Sequence, residues 1–304
     1  MEPPADGWWR LELEVPPELE ESLLWRLETL GIPRVAIGFR PDQPDRRLLE
    51  AWLPVADWPT GEHPRLEAAL QALGAPFGIP LPPLHWHTQA EEDWSLSWKR
   101  HWQPDPVAEG LLILPAWLEV PAEHRQRQVI RIDPGSAFGT GSHPTTRLCL
   151  EAIEQLQTLP GARVADLGCG SGILGIAALL QGARSVAAAD TDSLAVRATR
   201  DNAAVSGFSQ QLQVELGSVE RLAELLDGRP ADLLLCNILA PVIEALSPAF
   251  ASVLAPDGLG LLSGLLVDQA PRLQAVLAEQ GWRAELTAQQ SQWGLMTLRR
   301  ADVA

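Results

Sequence analysis

Residues 163–172 read Arg163-Val164-Ala165-Asp166-Leu167-Gly168-Cys169-Gly170-Ser171-Gly172: a short apolar run, then a glycine at every second position. An apolar run of this length bounded by glycines suits a strand buried on both faces. Glycines at its end permit left-handed backbone and let a ligand approach without meeting a Cβ. The helical pattern Ile173 to Gln181 follows at once. Strand, glycine loop and helix in that order open the nucleotide-binding half of a parallel α/β sheet.

The alternation continues in the C-terminal direction. Strand-like runs at Ser185 to Ala189, Gln211 to Leu216, Asp232 to Cys236 and Gly258 to Ser263 are interleaved with helical patterns at Ser193 to Ser206, Pro241 to Leu254 and Gln269 to Gln280. Helix His143 to Gln157 precedes the first strand. Buried strands alternating with helices predict a doubly wound, mostly parallel sheet covered on both faces. Two closing runs, Arg283 to Gln289 and Gly294 to Arg299, have no helix between them, so one strand of the pair is antiparallel. That tail departs from a plain dinucleotide fold.

In the N-terminal direction the pattern changes. Trp8 to Val15 alternates like a half-buried strand, a helix fits Glu18 to Leu30, and strands fit Arg34 to Phe39 and Arg47 to Leu53. A helix at Pro64 to Leu73 and a strand at Leu84 to Thr88 complete β-α-β-β-α-β, the order of a small ferredoxin-like α+β domain. Trp94, Trp98 and Trp102 recur every four positions and predict one face of a linker helix over 91–104. Leu111 to Leu114 and Gln128 to Ile132 are strand-like entries to the next domain. The expected division is 1–90, linker 91–104, and 105–304, as 304 residues suggest two domains.

Composition narrows the partners. A formal charge of −16 lacks the basic face that phosphate contacts require, so direct nucleic-acid binding is not expected. It favours a basic partner or serves solubility. The three cysteines, Cys149, Cys169 and Cys236, are far apart and without metal spacing, which suits a reducing cytoplasm. No basic-then-apolar leader and no apolar run of spanning length is present, so no membrane association is expected. His85 and His87 share a strand face but lack a third ligand nearby, so no metal site is expected.

Candidate site residues fall at strand ends. Asp190 closes the second strand of the sheet, 190 − 168 = 22 residues after the first loop glycine. A carboxylate there accepts hydrogen bonds from both ribose hydroxyls of a nucleoside, a role common to NAD and S-adenosylmethionine sites. Capping of the next helix is better filled by Asp192 or Ser193. Asn237 ends the apolar run Leu233-Leu234-Leu235-Cys236. An amide donates and accepts but takes no proton at neutral pH, which suits orienting an amine toward a sulfonium methyl rather than general-base work. The stretch Asp133-Pro134-Gly135-Ser136-Ala137-Phe138-Gly139-Thr140-Gly141-Ser142-His143-Pro144-Thr145-Thr146 is a glycine-rich entry to a helix that could close over a ligand. His143 is read as a helix-entry residue rather than a catalytic one.

These segments, with Asp166 to Leu174 and Asn237-Ile238-Leu239-Ala240, resemble the bacterial PrmA family, which methylates ribosomal protein eleven of the large subunit. The likeness is strong over about 90–300 and rests on layout alone before that. It implies a class I S-adenosylmethionine-dependent methyltransferase domain with a seven-stranded sheet, preceded by a ferredoxin-like domain that recognises the ribosomal protein. It also implies S-adenosyl-L-methionine as cofactor, contacted through Thr146, Gly168, Gly170, Asp190 and Asn237. Asn237 would orient the acceptor amine with no general base. The acceptors would be lysine ε-amines and the N-terminal α-amine, taken to trimethylation by a monomer. The alternative is a methyltransferase acting on another protein or on RNA.

Overall fold

The structure, a computed structural model, describes residues 7–40, 43–89, 102–133 and 141–301. It divides into two compact units, Met1–Gln103 and Pro104–Ala304.

The first unit runs β1 (Trp8–Val15), α1 (Glu20–Thr29), β2 (Val35–Arg40), β3 (Gln43–Pro54), α2 (His63–Gln71) and β4 (His85–Gln89). Along β1 every second residue, Trp9, Leu11, Leu13 and Val15, is buried, as the alternation predicts. The sheet order is β2-β3-β1-β4 with every pair antiparallel, the ferredoxin-like arrangement. Leu11, Leu13, Leu49 and Leu53 of the sheet pack with Leu23 and Leu27 of α1 and Leu66 and Leu70 of α2. Each such leucine is worth about 1.5–3 kcal/mol of burial. Gly31, at φ 79°, ends α1 in a left-handed turn whose Ile32 amide donates back to the Leu27 carbonyl at 2.8 Å. Most of the expected linker helix, Trp94 and Trp98 included, lies outside the described residues. Its last part, 102–104, has no regular structure, and the Trp102 indole donates to the Val35 carbonyl.

The second unit opens with a three-stranded sheet of β5 (Asp105–Val107), β6 (Leu111–Pro115) and β7 (Gln128–Ile132). Then come α3 (Pro144–Gln155), β8 (Arg163–Leu167), α4 (Ile173–Leu180), β9 (Ser185–Asp190), α5 (Ser193–Val205), β10 (Leu212–Leu216) and α6 (Val219–Leu225). They are followed by β11 (Ala231–Asn237), α7 (Ala240–Leu246), β12 (Leu254–Leu266), α8 (Ala270–Glu279), β13 (Trp282–Gln290) and β14 (Trp293–Arg300). The main sheet has seven strands in the order β10-β9-β8-β11-β12-β14-β13. The first five in that order are parallel, and β14 is antiparallel to both of its neighbours. The chain reverses its direction of winding between β8 and β11, and in such sheets the ligand crevice lies at that point, outside the carboxyl ends.

One predicted helix is two elements. Instead of running from Pro241 to Leu254, α7 stops at Leu246 and a 3-10 turn covers Ser247–Ser252. Pro248 has no N–H for the Glu244 carbonyl. The Ser247 hydroxyl donates to that carbonyl instead, at 2.9 Å. The chain then enters β12 at Leu254, earlier than the apolar run suggests. Among the described residues no helix is long and apolar enough to cross a membrane, and no group of three or more His, Cys, Asp or Glu could hold a metal ion.

Candidate active site

The carboxyl end of β8 enters the loop over a buried acid. Asp166 is 1% exposed, and its Oδ2 accepts the Gly175 amide, in the first turn of α4, at 3.0 Å. This satisfies one of the amides that a helix start leaves unpaired. A Cβ at Gly175 would stand 3.0 Å from Val186 Cγ1 and 3.1 Å from Asp166 Oδ2, so glycine is what lets the acid come that close. Burial pushes the Asp166 carboxyl up to about 7, opposed by the Gly175 amide and helped by the charge of Asp190.

The loop itself is left-handed at Gly168, Gly170 and Gly172, with φ of 70°, 55° and 79°. The Gly168 and Cys169 amides donate to the Ala189 carbonyl at 2.9 and 3.2 Å, which fastens the loop to the end of β9. Asp190 stands beside it, half-buried. Its Oδ2 accepts the Gly170 amide at 2.9 Å and its Oδ1 the Asp192 amide at 3.0 Å. Burial raises the Asp190 carboxyl above the usual range, against the Asp192, Gly170 and Thr191 amides. Capping of α5 falls to Asp192, which accepts the Leu194 amide at 2.8 Å, so Asp190 is not used as the cap.

Across the switch point, Asn237 ends β11, between β8 and β12. Its Nδ2 donates to the Thr146 hydroxyl oxygen, in the first turn of α3, at 3.3 Å. Two glycines fix the level of this segment. A Cβ at Gly168 would lie 2.3 Å from Ile238 Cγ2, and one at Gly264 of β12 would lie 2.3 Å from the Ile238 carbonyl oxygen. His143 caps α3: its Nδ1 accepts the Thr145 amide at 3.3 Å, and its ring meets Trp293 of β14 edge-on at 4.7 Å. Phe138, Gly139 and Thr140 lie outside the described residues.

The structure therefore brings all five expected residues to one edge of the sheet, as the pairs Gly170 with Asp190 and Thr146 with Asn237, with Gly168 against Ile238 between them. Two further residues line the underside of the loop: Thr199 donates to the Gly170 carbonyl and Asn202 to the Ser171 carbonyl, each at 2.9 Å. Their sequence signal is slight, polar side chains on the otherwise apolar face of α5.

A parallel sheet carrying this loop, and completed by an antiparallel strand inserted one place from its edge, is that of the class I S-adenosylmethionine-dependent methyltransferases. Within that class the chain belongs to the family described as ribosomal protein L11 methyltransferase (PrmA), whose model matches residues 7–301. A relative of that name from Synechococcus sp. (strain RCC307) is 65% identical over 97% of this chain and 98% of its own length. One from Parasynechococcus marenigrum (strain WH8102) is 64% identical over 94% of this chain and 99% of its own. The crystal structure of a ribosomal protein L11 methylase from Lactobacillus delbrueckii subsp. bulgaricus is 32% identical, with a TM-score of 0.59 over 66% of this chain and all of that one.

Proposed function

We propose that this chain transfers methyl groups from S-adenosylmethionine to amines of large-subunit ribosomal protein L11: lysine ε-amines and the N-terminal α-amine, taken to trimethylation. The family supports the substrate, and the observation that carries the site reading is the Asn237–Thr146 pair at the same strand edge as the Gly170–Asp190 pair.

The residues fit the cofactor. Asp190 Oδ1 accepts the Asp192 amide and Oδ2 the Gly170 amide. A carboxylate has about four lone-pair sites, so some stay open to ribose hydroxyls, and the left-handed glycines offer backbone without Cβ atoms. Gly168, Gly170 and Thr146 complete the contacts. Bound there, the cofactor supplies an electrophilic methyl for in-line displacement, so catalysis is largely positioning. Thr146 takes the Asn237 Nδ2 hydrogen, which leaves Oδ1 to accept from the substrate amine and aim its lone pair. The amine must arrive neutral. An ordinary lysine, at about 10.4, is almost wholly charged at pH 7, and desolvation in the crevice lowers that value. No general base is needed, and protons leave through solvent between methylations.

Residues 1–90 are read as the substrate-recognition domain, joined by 91–104 to the methyltransferase domain 105–304. The net charge of −16 favours a basic protein over nucleic acid as direct partner. Three buried free cysteines suit the cytoplasm, and the enzyme is read as a monomer free of membranes. The test is incubation of the purified chain with L11 and S-adenosylmethionine, followed by intact-mass and peptide mass spectrometry. Trimethyl increments on lysines and the N-terminus are expected; unmodified L11 beside methylation of ribosomal RNA would reverse the assignment.

A further inference from the structure

Helix α5 carries a polar row on its buried face. Thr199, Asn202 and Ser206 follow at intervals of three and four residues, so they stack on one side of the helix and its C-cap. Thr199 and Asn202 are 0% and 1% exposed. Thr199 donates to the Gly170 carbonyl at 2.9 Å, and Ser206 donates to the Arg131 carbonyl of β7 at 2.9 Å.

Asn202 joins two segments that are far apart in sequence. Its Nδ2 donates to the Ser171 carbonyl at 2.9 Å, and its Oδ1 accepts the Asp133 amide at 2.8 Å. The orientation of the side chain is fixed by chemistry, since a backbone carbonyl only accepts and a backbone amide only donates. One end of the amide thus holds the glycine loop, and the other holds the residue at which the glycine-rich stretch 133–146 begins. Among the described residues, neither the sheet ladder nor the caps of α4 and α5 ties these two segments together.

We propose that Asn202 is a positioning residue for cofactor binding. It sets the glycine loop at a fixed distance from the start of the 133–146 stretch and touches no ligand itself. This rests on the reading of Gly168 to Gly172 as the cofactor loop. Removing the amide takes one hydrogen bond from the Ser171 carbonyl and one from the Asp133 amide, and frees the loop to shift by the fraction of an ångström that backbone contacts to a ligand do not tolerate.

The test is titration calorimetry of the full chain with S-adenosylmethionine, alongside hydrogen exchange of the free protein. Asn202→Ala is expected to weaken binding about tenfold, to speed exchange at Asp133, and to leave β9 and β11 protected. Asn202→Asp has the same shape, keeps the acceptor for Asp133 and loses the donor to Ser171. It is expected to keep Asp133 protected and still weaken binding, and it stands in if the alanine variant does not fold. Asp190→Ala, in parallel, reports on the site itself: wild-type affinity in that variant removes the cofactor reading. If Asp190→Ala loses binding while folded Asn202 variants bind within about twofold of wild type, the positioning role falls alone. Exchange that quickens through β9 and β11 as well assigns Asn202 to general stability and overturns the proposal.

Discussion

Asp166 reaches beneath the glycine loop to accept the Gly175 amide at 3.0 Å, with both residues sealed from water. The acid is raised to about 7 from an ordinary 3.8, so the folded state holds its proton more tightly than the unfolded chain does. Its contribution to stability is complete below about pH 4 and is lost as pH rises through about 7. The span sets an upper bound of about 4 kcal/mol. Asp166→Asn keeps an acceptor for Gly175 and cannot ionise. Its thermal midpoint without cofactor is expected to overtake the wild type as pH climbs from 4 to 8; parallel curves for the two proteins would refute the assignment.

Gly264 combines a φ of 82° with a Cβ direction that runs into the Ile238 backbone, 2.3 Å from the oxygen and 2.6 Å from the carbon. Backbone cannot swing aside as a side chain does. Gly264→Ala is expected to cost at least about 2 kcal/mol in urea unfolding, from the left-handed strain and the clash together. Because Ile238 follows Asn237, turnover should fall further than stability alone explains, as steady-state kinetics below the unfolding midpoint will show.

Thr146→Val preserves shape and deletes the oxygen that receives Asn237 Nδ2. Asn237→Ala deletes the amide altogether. If orientation of the amine is the task, kcat falls about tenfold in the first variant and more in the second, while cofactor affinity changes less. Equal loss in kcat and in cofactor binding would make Asn237 a cofactor ligand only.

In the first unit His63 stacks on Trp86 at 3.6 Å and meets Trp9 edge-on at 4.7 Å. Burial holds its ring below the ordinary 6.5, against a hydrogen bond to the Trp58 backbone and the charge of Glu67. A lowered histidine gives stability that is complete above 6.5 and fades as pH falls through the folded value. His63→Phe keeps the stack and cannot take a proton. Acid titration followed by tryptophan fluorescence should show the wild type loosening first, and identical acid limbs would clear His63 of the effect.

Regular alternation was the readable part of the sequence. Trp8 to Val15 and Arg163 to Leu167 appear with the bounds their patterns predict, because one buried face or two buried faces leave an unambiguous period. The helix α6 escaped notice, since seven residues with two inward side chains, Val219 and Leu222, make too little pattern. Strand β5, three residues with a proline in the middle, has no period at all. The site's outer residues were legible because strand ends are. Asn202 was not: a lone amide inside a helix looks the same whether it meets water or two backbone segments, and only the path of the chain at Asp133 and Ser171 separates the cases.

The antiparallel insertion of β14 also dictates an order of assembly. Within the sheet β13 touches β14 alone, so it has no pairing partner while the chain is still being made and must wait for the residues that follow it. The same late strand delivers Trp293 to the His143 cap. The earlier parallel strands can associate during synthesis, yet the wall beside α3 closes last. A nascent chain stalled at residue 290 would expose the edges of β12 and β13 and lack that wall, which leaves it open to aggregation and to proteases.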